Sequence, residues 1–254
     1  MARGCAIALV TGMAALGACG RIDFAAVPDA GSVLDPAPDA ASGAPPPRVA
    51  YVGPFVQRDG SARATDTFTA QAHAAGNAIV IQVSCGATAI PTAVSVAAAG
   101  WSFTQLGPIT ASARSAQRSA TFAAIAPDTV GVTVTVTWTG STCNTSSNQI
   151  GDEFAMTDPA GGMITFDGFN ATQGTGNCTG SVTTGHEGDA VWAACNTQTS
   201  VTAIGTGFVK GADDDVGDWT EYALTSHAAG TAEAVEFDNP NVGYVLSMVT
   251  LKPR

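Results

Sequence analysis

The sequence predicts an all-β fold, an antiparallel β-sandwich. Three observations carry that expectation. Short runs with apolar or β-branched residues at every second position recur along most of the chain, separated by Gly, Asn, Asp or Pro. No window shows a 3.6-residue apolar period of helical length with caps. The residues that populate exposed helix faces are also scarce: charged residues make up 12% of the 254, and Lys210 and Lys252 are the two lysines of the chain. Solvent-facing positions fall instead to Thr, Ser, Gln and Asn.

Residues 1–18, MARGCAIALVTGMAALGA, carry one charged side chain, Arg3, then an uncharged small and apolar run, then small residues. This is the layout of an export signal, and the apolar run falls short of the ~20 residues that a membrane-spanning helix needs. Its end, Leu16, Gly17, Ala18 and Cys19, resembles the lipobox of bacterial lipoproteins. The resemblance implies that the Cys19 sulfur takes a diacylglycerol, that the signal is cut before it, and that the new amino terminus is acylated with a fatty acid such as palmitate. Several acyl chains, at about 0.8 kcal/mol per buried CH₂, hold durably where one holds marginally. Gly20 stands where an aspartate would imply retention at the inner membrane, so the resemblance favours lipid anchoring in the outer membrane.

Residues 19–48 are rich in Pro, Ala, Asp, Gly and Ser without periodic apolar residues, and read as a tether stiffened by Pro45, Pro46 and Pro47 before the folded body. From 49 to 254 strands are expected in turn. The runs lie at 67–71, 78–84, 92–96, 101–106, 119–125, 130–138, 163–169, 181–184, 190–194, 219–224, 232–237 and 242–251. The clearest is VGVTVTVTW, with Val132, Val134, Val136 and Trp138 on one face and Thr133, Thr135 and Thr137 on the other. No internal repeat aligns, which argues against a propeller or β-helix. One domain over 49–254 is preferred to two small sandwiches divided near 158–162.

The order AGNAIVIQVSC (75–85), WSFTQL (101–106), SATFAAIAPDTVGVTVTVTW (119–138), TTGHEGDAVWAAC (183–195), DWTEYAL (218–224) and AGTAEAVEF (229–237) resembles a jelly-roll-like module of exported bacterial proteins. The resemblance implies a jelly-roll-like sandwich and no particular activity.

Past Cys5 and Cys19, four cysteines remain: Cys85, Cys143, Cys178 and Cys195. An even number in an exported chain predicts two disulfides. Three pairings exist; the placement of each pair at or just beyond strands that could be neighbours favours Cys85 with Cys143 and Cys178 with Cys195. Long spacings without CxxC or nearby His disfavour zinc.

Net charge is −11, and 211–251 holds eight acidic residues without Lys or Arg. This excludes nucleic acid as a favoured partner, since phosphate binding needs basic residues. Within that stretch GADDDVGDW offers Asp213, Asp214, Asp215 and Asp218 as candidate calcium ligands, because Ca²⁺ gathers six to eight oxygens. The spacing is not that of an EF-hand, and the simpler reading is a solvated acidic loop.

His73, His186 and His227 sit in turn-like contexts and read as loop residues, and neither GxSxG nor HExxH occurs. Two carboxylate pairs are available as glycosidase acids. Asp152 and Glu153 point to opposite faces of a strand, and Asp218 and Glu221 also diverge. Catalytic residues are therefore not nominated. Of the four tryptophans, Trp138 and Trp192 belong to apolar strand patterns, while Trp101 and Trp219 are the ones expected to line a ligand surface. The expected function is a lipid-anchored exported protein with a non-catalytic binding or structural domain. Its alternatives are a carbohydrate-binding or adhesion module with a glycan or cell-surface partner, and a polysaccharide-active enzyme.

Overall fold

The computed structural model describes residues 48–60, 62–112, 114–157, 162–224, 228–239 and 242–254. The expected export signal, Cys19 and the expected tether up to residue 47 lie outside them, as do His227 and most of the expected 158–162 break. The described residues form sixteen strands and no helix, and every pairing between strands is antiparallel.

Residues before the break build two sheets. The larger has the order β1 (Val49–Gly60), β9 (Ser147–Met156), β3 (Ala78–Gly86), β7 (Gln117–Ile125), β5 (Thr104–Gln105), with β6 (Thr110–Ala111) also on β7. The smaller has β8 (Val132–Thr139) between β2 (Thr65–Ala70) and β4 (Ala93–Ala97). Residues after the break build the other two. Their larger sheet runs β10 (Ile164–Thr175), β16 (Gly243–Pro253), β12 (Ala190–Thr197), β14 (Trp219–Ala223), β13 (Val209–Asp213), and their smaller one pairs β11 (Cys178–Thr183) with β15 (Ala232–Phe237).

Side-chain alternation stacks these sheets in four layers. On β3, Ile79, Ile81, Val83 and Cys85 pack with Val134, Val136 and Trp138 of β8. The opposite face of β3, through Ala78 and Val80, packs with Trp192 of β12 and Val249 and Leu251 of β16. The other face of β12, through Val191, Ala193 and Cys195, meets Val182 of β11 and Val235 and Phe237 of β15. Both large sheets are thus covered on both sides, which is why β3 and β12 are buried along their whole length. The outer strand β8 keeps the half-buried alternation expected of it, with Val134, Val136 and Trp138 inside and Thr133 and Thr139 exposed.

The large sheets of the two halves share one strand order, although the outer sheet has three strands in the first half and two in the second. In each, the first strand lies at an edge beside the last, followed by the strand that opens the half's buried centre. One irregularity is common to both, while a further shift of β1 between Pro54 and Val56 has no counterpart on β10. Pairing of β1 with β9 shifts register between Tyr51 and Gly53, and pairing of β10 with β16 shifts between Phe166 and Gly168. Gly76 and Gly188, with φ of 86° and 84°, turn the chain into β3 and β12, a left-handed conformation that glycine adopts without a Cβ clash.

Both expected disulfides are present. Cys85 at the end of β3 joins Cys143 in the connection after β8, with Cα atoms 5.2 Å apart, and Cys178 of β11 joins Cys195 of β12 at 6.2 Å. The second ties an outer layer to the large sheet beneath it.

Candidate functional site

The acidic loop GADDDVGDW connects β13 to β14, and the structure divides its four aspartates into two kinds. Asp214 and Asp218 turn inward and are almost wholly buried. Asp213 stays at the rim and accepts from Lys210 Nζ at 2.5 Å, and Asp215 is exposed with a left-handed φ of 65°.

Asp214 Oδ1 closes the loop by accepting the backbone N–H groups of Val216, Gly217 and Asp218 at 3.1, 2.9 and 2.9 Å. Asp218 Oδ1 accepts the N–H of Thr197 at 2.9 Å. Each Oδ1 is therefore held by the backbone, and each Oδ2 faces side-chain amides. Asn148 of β9 places its Nδ2 3.0 Å from both Oδ2 atoms. Asn196 of β12 donates to Asp218 Oδ2 and, at 2.9 Å, to Ser84 Oγ of β3. The amide oxygens of Asn148 and Asn196 are buried and have no hydrogen-bond partner. Burial first, and then the charge of Asp214, push the Asp218 carboxyl well above the usual carboxylate range; burial also raises Asp214.

Asn148 also opens onto a groove of about 520 Å³, whose wall includes Asp59, Gln117, Thr145, Ser146, Thr197 and Thr199. Hydroxyls and amides dominate this lining, a surface suited to a polar, hydroxylated ligand.

Three other buried carboxylates, Asp152, Glu153 and Glu221, act as clamps within the fold. Asp152 points between the two large sheets, where it accepts from Tyr51 Oη at 3.0 Å, Trp192 Nε1 at 2.7 Å and Thr220 Oγ1 at 2.5 Å. Burial lifts its carboxyl to about 6 against the opposing pull of these donors. Glu153 points to the other face, as expected, and holds the turn before β3 through His73 N at 2.8 Å, His73 Nδ1 at 2.7 Å and Asn77 Nδ2 at 2.5 Å. Glu221 diverges from Asp218, accepts Gly205 N at 2.8 Å, and is raised by burial to about 7.

A second group that sequence reasoning did not bring together is Asp167, His186 and Asp189, whose ligand atoms lie within 4.8 Å of one another. Asp167 occupies the β10 bulge. His186 Nδ1 is 3.1 Å from Asp167 Oδ2, and its Nε2 is 2.6 Å from Lys252 Nζ. The ammonium beside the ring opposes cation binding there.

Trp101 does not line a surface, and that expectation is corrected. It is buried in the first core, stacked on Phe103 with centroids 5.5 Å apart and tilted against Phe55 at 5.6 Å. Gly100, with φ of 80°, makes the turn that precedes the ring. Trp219 is half-buried, and Lys210 Nζ sits 3.4 Å from its ring centroid, covering one face.

Comparison with protein-family models, with curated proteins and with solved structures found no match.

Proposed function

We propose that this chain is an exported envelope lipoprotein whose folded body is a non-catalytic binding module. Cys19 is its acylation site, residues 19–48 hold the body away from an outer membrane, and the module belongs with the jelly-roll-like modules of exported bacterial proteins that the sequence resembles. The cysteine account carries this reading. Cys85, Cys143, Cys178 and Cys195 are consumed in two disulfides, which suit an oxidising compartment. Cys19, behind Leu16, Gly17 and Ala18, is left as the cysteine for the anchor.

The polar groove beside Asn148 favours a hydroxylated ligand, a glycan, over an apolar one. Metabolic labelling with a palmitate analogue tests the anchor: the label should enter the wild-type chain and be lost in Cys19→Ala. An unlabelled wild-type chain that is still exported overturns it. Binding of the purified chain to a panel of glycans, without turnover, is expected of the module. Turnover of any of them would replace a binding module by an enzyme.

A further inference from the structure

We infer that Asp214, Asp218, Asn148 and Asn196 form a buried calcium site, with the Oδ2 atoms of both aspartates and the amide oxygens of both asparagines as ligands. Four side chains from β9, β12 and the β13–β14 loop converge on one point, and all four are more than nine-tenths buried. Two carboxylates within hydrogen-bond reach of one amide nitrogen repel each other in a medium that screens poorly, so the pair calls for a proton or a cation.

The asparagines favour the cation. Their oxygens are buried without a partner, although a buried acceptor left unpaired costs roughly 1–3 kcal/mol. A half-turn of each amide exchanges its oxygen and nitrogen within the same envelope; it leaves each nitrogen in the place of the unpaired oxygen, so the gain comes from the ion and not from the amide's own pairing. It would place Asn148 Oδ1 at the position now 3.0 Å from both Oδ2 atoms. Oxygens that share a calcium ion at 2.3–2.6 Å lie about 3 Å from one another, so the spacing fits without moving the backbone. The same turn sets Asn196 Oδ1 against Asp218 Oδ2, a contact that must open for both to hold one ion, and beside Ser84 Oγ, whose hydroxyl can turn to it from the Asn148 carbonyl.

Two carboxylates and two neutral amides balance a divalent charge, and the oxygen set suits a hard cation of calcium's size. Four protein ligands leave places for water entering from the groove that Asn148 lines. The sequence expectation of calcium on Asp213, Asp214, Asp215 and Asp218 is thereby redrawn: two of those aspartates are replaced by two asparagines distant in sequence. The inference is independent of the acyl anchor and of any glycan.

Terbium luminescence and thermal unfolding of the full chain test it. Tb³⁺ bound beside Trp219 should emit when the indole is excited, and Ca²⁺ should displace it. The melting temperature should rise with each tenfold increase in Ca²⁺ and far less with Mg²⁺. Asp214→Asn with Asp218→Asn should weaken Ca²⁺ at least tenfold, whereas Asp213→Asn with Asp215→Asn should leave it within twofold. If the first variant does not fold, the wild-type response decides alone. No calcium-dependent shift at millimolar ion overturns the site, as does equal loss in the Asp213 and Asp215 variant.

Discussion

Tyr51 of β1 and Phe166 of β10 stand at the same place relative to a register shift in their strands. Each is followed, two residues on, by the glycine at which its strand resumes pairing, Gly53 or Gly168. Each is an aromatic residue packed against the core between the large sheets, and Tyr51 stacks on Tyr222 at 4.1 Å. With the shared order of the large sheets, the two halves are alike in backbone there and pack through equivalent faces. The equivalence is one of backbone, and the surroundings have diverged.

That divergence predicts unequal responses at equivalent glycines. A Cβ at Gly53 would meet only His73 Cε1 at 3.9 Å, whereas at Gly168 it would lie 2.8 Å from Thr250 Oγ1 and 3.2 Å from the Thr183 carbonyl. Gly53→Ala should change stability by no more than about 0.5 kcal/mol and Gly168→Ala should cost about 1–2 kcal/mol. Urea midpoints of the two variants, measured side by side, check the order.

The disulfides close chains of different length, 58 residues for Cys85–Cys143 and 17 for Cys178–Cys195. On the chain-entropy account their loss should cost about 4 and about 3 kcal/mol. Replacing each pair by alanine and comparing denaturant midpoints tests this, and the reverse order would show that the tie between β11 and β12 outweighs loop length.

The sheet class, the alternation of β8 and both cysteine pairings were legible in the sequence, because each depends on local period or on strands that could be neighbours. The likeness of the two halves was not. Their central faces pack against each other, so Trp192 of one half shares a core with Ala78 and Val80 of the other. The residues that meet there differ in size, Trp192 against Ala78 and Val80, so the likeness in backbone leaves no repeat in the sequence. Nor could composition nominate Asn148, which stands 70 residues from Asp218 in the chain. Trp101 misled for a simpler reason: a glycine before an aromatic residue signals a turn but not the direction in which the ring leaves it.

Lys210 covers one face of the Trp219 ring. Its ammonium is tied to Asp213. Lys210→Ala should uncover the ring at a stability cost below about 1 kcal/mol. It should strengthen any glycan binding that Trp219→Ala abolishes. Equal affinities of wild type and Lys210→Ala across the glycan panel would remove Trp219 as a platform.

Asp152 and Glu221 set an unusual dependence of stability on pH. Both carboxyls are raised by burial, from 3.8 to about 6 and from 4.5 to about 7. The folded state therefore binds their protons more tightly than the unfolded chain does. Stability from these groups is fully present below about pH 4 and is lost as pH rises through about 6 and then 7. For Asp152 the loss is about 3 kcal/mol, at 1.36 kcal/mol per unit. Asp152→Asn removes the ionisation while keeping an oxygen for Trp192 Nε1 and Thr220 Oγ1, and its amide can donate to Tyr51 Oη. The variant should match wild type near pH 4 and exceed it by about 2–3 kcal/mol at pH 8. Urea unfolding at pH 4, 6 and 8 reads this directly. A deficit for Asp152→Asn at every pH would mean instead that three donors hold the carboxylate ionised throughout, and that the clamp between the two large sheets draws its strength from the charge.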